Sequence, residues 1–356
     1  MNNRSMPDRR KRFAAALLAA SLLIVTLYLA DDDAKNGRAA EAATTKTTGQ
    51  LPLKIVADIG LPGPTNRFDY QSYDARKHLL FIAHLGAGTM VVFDTKEQRV
   101  VAEIPNIKSV HGVLVVPELG RVYASATGTN EIVVIDEQSL KEVTRIPGGV
   151  YPDGIAYAPD AHKLYVSDET GRTETVIDVQ SNKSVATIAL GGEVGNTQYD
   201  ATSKHIFVNV QTLDQLFEID PGTDAIAARH PLPGAKENHG LLIDASQRVA
   251  YVACQGNAKL LVVDLDSKRV ISSDSIGDGP DVLAFDPTLR LIYVASESGV
   301  VSVFQQDGKK LTKTGEWLLA KRAHSVAVDP DTHRVFFPIE NLDGRAVLRI
   351  MEPVTQ

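Results

Sequence analysis

Seven evenly spaced positions hold most of the side chains in this sequence that could do chemistry: Asp69, His111, Asp153, Gly195, His239, Asp281 and His324. The steps between them are 42, 42, 42, 44, 42 and 43 residues. If each position belongs to one unit of a closed ring, closure sets His324 beside Asp69. Every histidine then has a carboxylate on at least one neighbouring unit. A carboxylate next to an imidazole fixes its tautomer and raises its basicity, which suits both a metal-bound histidine and a histidine general base. His111, His239 and His324 are therefore candidate ligands for zinc or copper with an open coordination position. Asp69, Asp153 and Asp281 are candidate ligand-binding carboxylates. A turn role competes with this reading, because polar residues precede glycine in Pro152-Asp153-Gly154 and Asn238-His239-Gly240 and could satisfy loop backbone groups.

A second set lies fifteen and sixteen residues beyond the first in most units. It supplies His84 as a further candidate metal ligand, and Glu169, Glu297 and Glu340 as further candidate ligand-binding carboxylates. Arg67, Lys236, Lys321 and Arg322 lie close enough in sequence to pair some of these acids. Cys254 reads as a buried thiol at a strand end. His78, His162, His205 and His333 fall in turns on the opposite face and His230 in an outer strand, so all five are expected in solvent.

The elements that must position these residues are short and repeated. An aromatic residue opens an apolar run at Phe81, Tyr123, Tyr165, Phe207, Tyr251, Tyr293 and Phe336, each twelve residues after a ring position. Asp94, Asp136, Asp178, Asp220 and Asp264 close later runs on the same clock. The runs last four to seven residues, are rich in Val, Ile and Tyr, and are divided by turn residues, so they are strands. The second unit shows four: 112–117, 121–126, 131–136 and 142–147. Four strands in a period of about 42 make a propeller blade. The expected fold is an all-β, seven-bladed propeller over 51–356. The seventh unit has strands at 325–328, 334–338 and 346–351 and lacks an outer one, whereas the strand-like 53–59 has no unit before it. Pairing 53–59 into the last blade closes the ring and removes its open edge.

The segments Tyr165-Val166-Ser167, Tyr251-Val252-Ala253 and Tyr293-Val294-Ala295, with PDGIAYAPD at 152–160, resemble the YVTN-repeat (YncE-like) beta-propellers. That resemblance spans nearly all of 51–356. It implies the propeller fold and leaves activity open, because related propellers include binding proteins, lactonases and metal-dependent redox enzymes.

Arg9-Arg10-Lys11-Arg12 precedes residues 13–30, of which only Ser21 and Thr26 are not apolar. This arrangement sends the following chain across a membrane, either from a cleaved signal peptide or from a retained anchor. Residues 31–50 lack Leu, Ile, Val and aromatics and read as a flexible linker. Outside residues 1–30 there are 32 Lys and Arg against 43 Asp and Glu, a net charge of −11. That balance excludes a nucleic-acid partner bound through phosphates. A single cysteine excludes an intrachain disulfide. No nucleophile elbow, phosphate loop, CxxC or HExxH is present, and Gly86-Ala87-Gly88 is a hairpin turn.

Two functions remain on these grounds. One is an exported, periplasmic or extracellular monomer that binds a small polar ligand, an envelope component or a partner protein at its channel face, touching a membrane only through residues 13–30. The other is a copper- or zinc-dependent hydrolase, lactonase-like lyase or oxidoreductase using the His/Asp ring.

Overall fold

A computed structural model describes residues 51–354. The expected signal or anchor at 1–30 and the linker at 31–50 lie outside the described residues. Among the described residues no helix is long and apolar enough to cross a membrane.

Strand formation follows from the alternation of β-branched and aromatic residues between turn-formers. The second blade consists of Val110–Val116, Arg121–Ala126, Glu131–Asp136 and Lys141–Pro147, paired antiparallel in that order. Six such blades follow the same up-and-down order, and a seventh sheet is composite. In it, Ala327–Asp329, Arg334–Leu342 and Arg345–Pro353 are joined on the outside by Leu53–Gly60. The register runs from Leu53 opposite Pro353 to Gly60 opposite Val347, with one irregularity after Ile55. Arg349 reinforces it with two hydrogen bonds of 2.8 Å to the Asp58 carboxylate. Each inner strand touches the inner strands of both neighbouring blades, the first meeting the seventh, so the ring is closed.

The repeated aromatics, Phe81, Tyr123, Tyr165, Phe207, Tyr251, Tyr293 and Phe336, are all buried at the second strand and fill the space between blades. The repeated aspartates have a different task. Asp94 Oδ1 accepts the backbone N–H groups of Lys96 and Glu97 at 2.9 and 2.8 Å, and Asp136, Asp178, Asp220 and Asp264 cap their hairpins likewise. Such caps let the chain reverse without unsatisfied amides. Gly86 and Ala87 lie in a single 3-10 turn, Leu85–Ala87, which opens no helix. Trp317, the single tryptophan, lies in the outer strand of the sixth blade and is 46% exposed.

The glycines after ring positions control how closely the inner strands approach. A Cβ on Gly112 would stand 2.0 Å from the Asp153 carbonyl oxygen, and one on Gly240 2.3 Å from that of Asp281. Both obstacles are backbone atoms of the next blade, which cannot rotate away. Gly112→Ala is therefore expected to cost about 1–3 kcal/mol, the usual range for overpacking, read as a lowered thermal midpoint. An unchanged midpoint would show that the blades can separate freely.

Candidate functional site

The ring positions cluster where the inner strands begin. His111, Asp153, His239 and Asp281 lie on inner strands, while Asp69 and His324 lie just before Gln71–Asp74 and Ala327–Asp329. The backbone holds them in place across blade boundaries. Ser125 Oγ donates to the Asp153 carbonyl at 2.6 Å, and Asn209 Nδ2 donates to the carbonyls of His239 and Gly240 at 2.9 and 3.0 Å. The preceding loop tightens through residues in the left-handed region two places earlier, namely Ser109, Tyr151, Glu237, Gly279 and Arg322.

Each histidine faces a carboxylate of an adjoining blade. His111 Nε2 lies 3.7 Å from Asp69, His239 Nε2 3.2 Å from Asp281, and His324 Nε2 3.9 Å from Asp281. The three imidazoles do not meet at one point. Among the described residues, the one group of three metal-ligand side chains that converges is Asp69, Asp281 and His324, with one ligand atom from each within 4.8 Å of the others. All three are buried, with exposures of 1, 3 and 1%. Asp153 and His239 are buried with them, whereas His111, Glu169, Glu297 and Glu340 are half-buried.

The tautomer of His324 follows from its partner. Its Nδ1 lies 2.9 Å from the Arg322 carbonyl, which can only accept, so Nδ1 carries a proton and Nε2 is the nitrogen that can offer a lone pair. That Nε2 has no hydrogen-bond partner, nor does Asp69 Oδ1, whereas Asp281 Oδ1 lies 3.2 Å from His239 Nε2. A ring nitrogen and two carboxyl groups thus converge in a buried space. His111 is oriented the same way, with Nδ1 donating to the Ser109 carbonyl at 2.9 Å, but its Nε2 receives the Tyr151 hydroxyl at 3.2 Å.

Burial and neighbouring charge set the protonation states. Burial, with the Arg67 charge added, brings the His111 imidazole down to about 3, so it is neutral. Burial disfavours charge on His239 too, but the adjacent Asp281 outweighs it, aided by Asp153 and Glu169, and its pKa rises. Asp281 is correspondingly held low by His239 against its burial. Burial pushes Asp69 well above the carboxylate range and Asp153 up to about 7.

Other sequence-derived residues have different surroundings. Glu297 is engaged by Arg67 at 2.7 Å, reaching from the first blade to the sixth, and Glu340 by Arg322 at 3.3 Å. Glu169 Oε1 accepts from Gln211 Nε2 at 3.4 Å. His84 is fully buried beside Asn66 Oδ1, 2.8 Å from Nε2, and stacks on Phe68. It belongs to no converging group of ligand atoms among the described residues. Cys254 is a buried free thiol that burial raises to about 12, unsuited to nucleophilic work.

Tyr70 also reaches this cluster, although spacing did not single it out. Its hydroxyl donates across the channel to Asn196 Oδ1 of the fourth blade at 2.5 Å and lies 3.4 Å from His239 Nε2. It closes the ring cluster from below. A signal was available: Tyr70 is the aromatic at a position held elsewhere by Gly112, Gly154, Asn196, Gly240, Val282 and Ser325.

The remaining histidines correct an expectation. His162 is exposed, but His78 is half-buried with Nδ1 3.4 Å from the Tyr73 hydroxyl, and His205, His230 and His333 are half-buried and face carboxylates. His333 Nδ1 lies 2.8 Å from Asp286, while Glu218 gathers His205 Nδ1 at 2.7 Å, His230 Nε2 at 2.9 Å and Lys268 Nζ at 3.0 Å. These contacts, led by His230, hold the Glu218 carboxyl down to about 2. A depressed acid contributes stability above its unfolded pKa and loses it as pH falls through the folded value. Glu218→Gln should therefore narrow the gap between thermal midpoints at pH 6 and at about pH 2. A gap equal to that of the parent would show that Glu218 contributes nothing.

No match to a protein-family model or to a curated protein was found. Solved structures do match. The chain resembles one titled "Kuenenia stuttgartiensis Hydrazine Synthase" with a TM-score of 0.68 at 15% identity, covering 87% of this chain and 98% of that one. It also resembles "Structure of U3-55K" at TM-score 0.70 and 12% identity, covering 86% and 100% of the two chains. "Crystal structure of RRP9 WD40 repeats" matches at TM-score 0.70 and 12% identity, covering 86% and 98%. At these identities the likeness shows the WD40-like propeller fold alone.

Proposed function

We propose that this chain is an exported binding propeller that holds a divalent metal ion, zinc or copper, at Asp69, Asp281 and His324. The observation that carries this reading is His324 Nε2, which has no hydrogen-bond partner and converges with a carboxyl oxygen of Asp69 and one of Asp281 in a buried space. Nitrogen with two carboxylate oxygens is a donor set that zinc accepts, and an entering ion would displace the proton that burial holds on Asp69. Ligand atoms on a tetrahedral ion lie roughly 3.4 Å apart, so binding needs only a small inward movement of the three side chains. His239, paired with Asp281, and His111, beside Asp69, act as positioning residues that fix the carboxylates. Arg9–Arg12 and the apolar residues 13–30 support export of the monomer, and the Tyr-Val repeats support membership of the YVTN-repeat propellers.

Elemental mass spectrometry on the full-length chain, purified without chelator or nickel affinity, tests the proposal. Near-stoichiometric zinc or copper is expected. Metal far below one equivalent that reconstitution does not raise would reject the ion and leave a small polar ligand, an envelope component or a partner protein as the ligand. A second reading, a metal-dependent hydrolase or lyase, is favoured by the count of three protein ligands, because catalytic zinc keeps a fourth position open. Ester or lactone hydrolysis that follows metal content across preparations supports it. An inert metal-loaded chain rejects it.

A further inference from the structure

The other end of the channel has a different character. Below Tyr70 the bore widens into a cavity of about 750 Å³, within the size range of small-molecule sites. Four residues along each inner strand from the ring positions stand Tyr73, Tyr157, Tyr199 and Phe285 on four of the seven blades. These four aromatics line the cavity and are half-buried. Glu118 is the one charged residue in the lining, and it is exposed in the turn Pro117–Leu119. With no buried countercharge, a charged ligand would lose its hydration without replacement.

The polar groups in the wall are amides. Gln71 Nε2 donates to Ser325 Oγ at 3.0 Å and to the Phe336 carbonyl, which leaves its Oε1 buried and without a donor. Gln198 Oε1 accepts the Ile243 N–H at 2.9 Å, which fixes the side chain, while its NH₂ has no acceptor among the described residues. A wholly apolar ligand would leave the Gln198 NH₂ unpaired, at a cost in affinity. Aromatic side chains combined with this free donor suit a neutral molecule with C–H faces and hydroxyl edges.

We propose that this cavity is a saccharide site, taking a neutral sugar against Tyr73, Tyr157, Tyr199 and Phe285 with Tyr70 as its floor. It is separate from the metal proposal, since none of its lining residues belongs to the Asp69–Asp281–His324 group.

The test is saturation-transfer NMR on the full-length chain with maltose, cellobiose and chitobiose as probes. Transfer to at least one disaccharide is expected. Affinity should fall about tenfold or more in the Tyr157→Ala/Tyr199→Ala double variant, from the loss of two stacking faces. Ile155→Trp, which narrows the bore and leaves the four aromatics in place, should also abolish transfer. Thermal midpoints identify any variant that fails to fold. No transfer to any of the three sugars, or transfer that survives in a folded Ile155→Trp variant, overturns the proposal. Metal content is read in a separate assay, so either idea can fail alone.

Discussion

His324→Ala is expected to strip the purified chain of its metal, whereas His111→Ala, which removes only an outer partner of Asp69, weakens binding less. The two histidines look equivalent in sequence, and both have Nδ1 fixed by a backbone carbonyl two residues earlier. They differ at Nε2: that of His111 receives the Tyr151 hydroxyl, and that of His324 is bare beside Asp281 and Asp69. Loss of an outer partner of a metal ligand already costs 10- to 100-fold in affinity, so loss of one of three direct ligands should cost more than about 100-fold. Asp281→Asn should act similarly, for it removes a ligand charge and also uncouples His239. Elemental analysis of the three variants against the parent, with circular dichroism as a fold control, reads the result. Equal metal in the His324 and His111 variants would place the ion elsewhere.

Removing residues 51–60 is expected to leave no folded monomer. Those residues bury Leu51 and Leu53 against the last blade and pair along the outer edge of Arg345–Pro353. Two buried leucines alone contribute about 3–6 kcal/mol, comparable with the whole stability of a marginal domain. The deletion also uncovers a strand of nine residues that includes Ala346, Val347, Leu348, Ile350 and Met351. An open edge of that composition pairs with other chains. Size-exclusion chromatography should show aggregates and the melt should lose its cooperativity. A monodisperse truncated chain with the parental midpoint would mean that the closure strand is dispensable.

The fold was readable from sequence because its determinants are local and repeated. Phe81 and its six counterparts are buried between blades at each second strand, and the aspartates such as Asp94 are fixed by turns of two or three residues. The closure by Leu53–Gly60 was readable from the missing outer strand of the last unit. The site was readable only to the level of the ring. Spacing places Asp69, His111, Asp153, His239, Asp281 and His324 at equivalent points, but which of them converge depends on how near the glycines let the inner strands approach and on where each loop points its side chain. The reach of Arg67 across the ring to Glu297 and of Tyr70 to Asn196 depends on the diameter of the channel, which no repeat encodes. His205 and His230 were misplaced in solvent because their shared partner Glu218 departs from the repeat pattern of its strand.

The most direct measurement is anomalous diffraction at the zinc edge from crystals of the chain grown with zinc. One peak is expected within about 2.2 Å of His324 Nε2 and of one oxygen each from Asp69 and Asp281. A map without a peak among those three residues, with His324 Nε2 hydrogen-bonded to Asp281 in its place, would contradict the metal site.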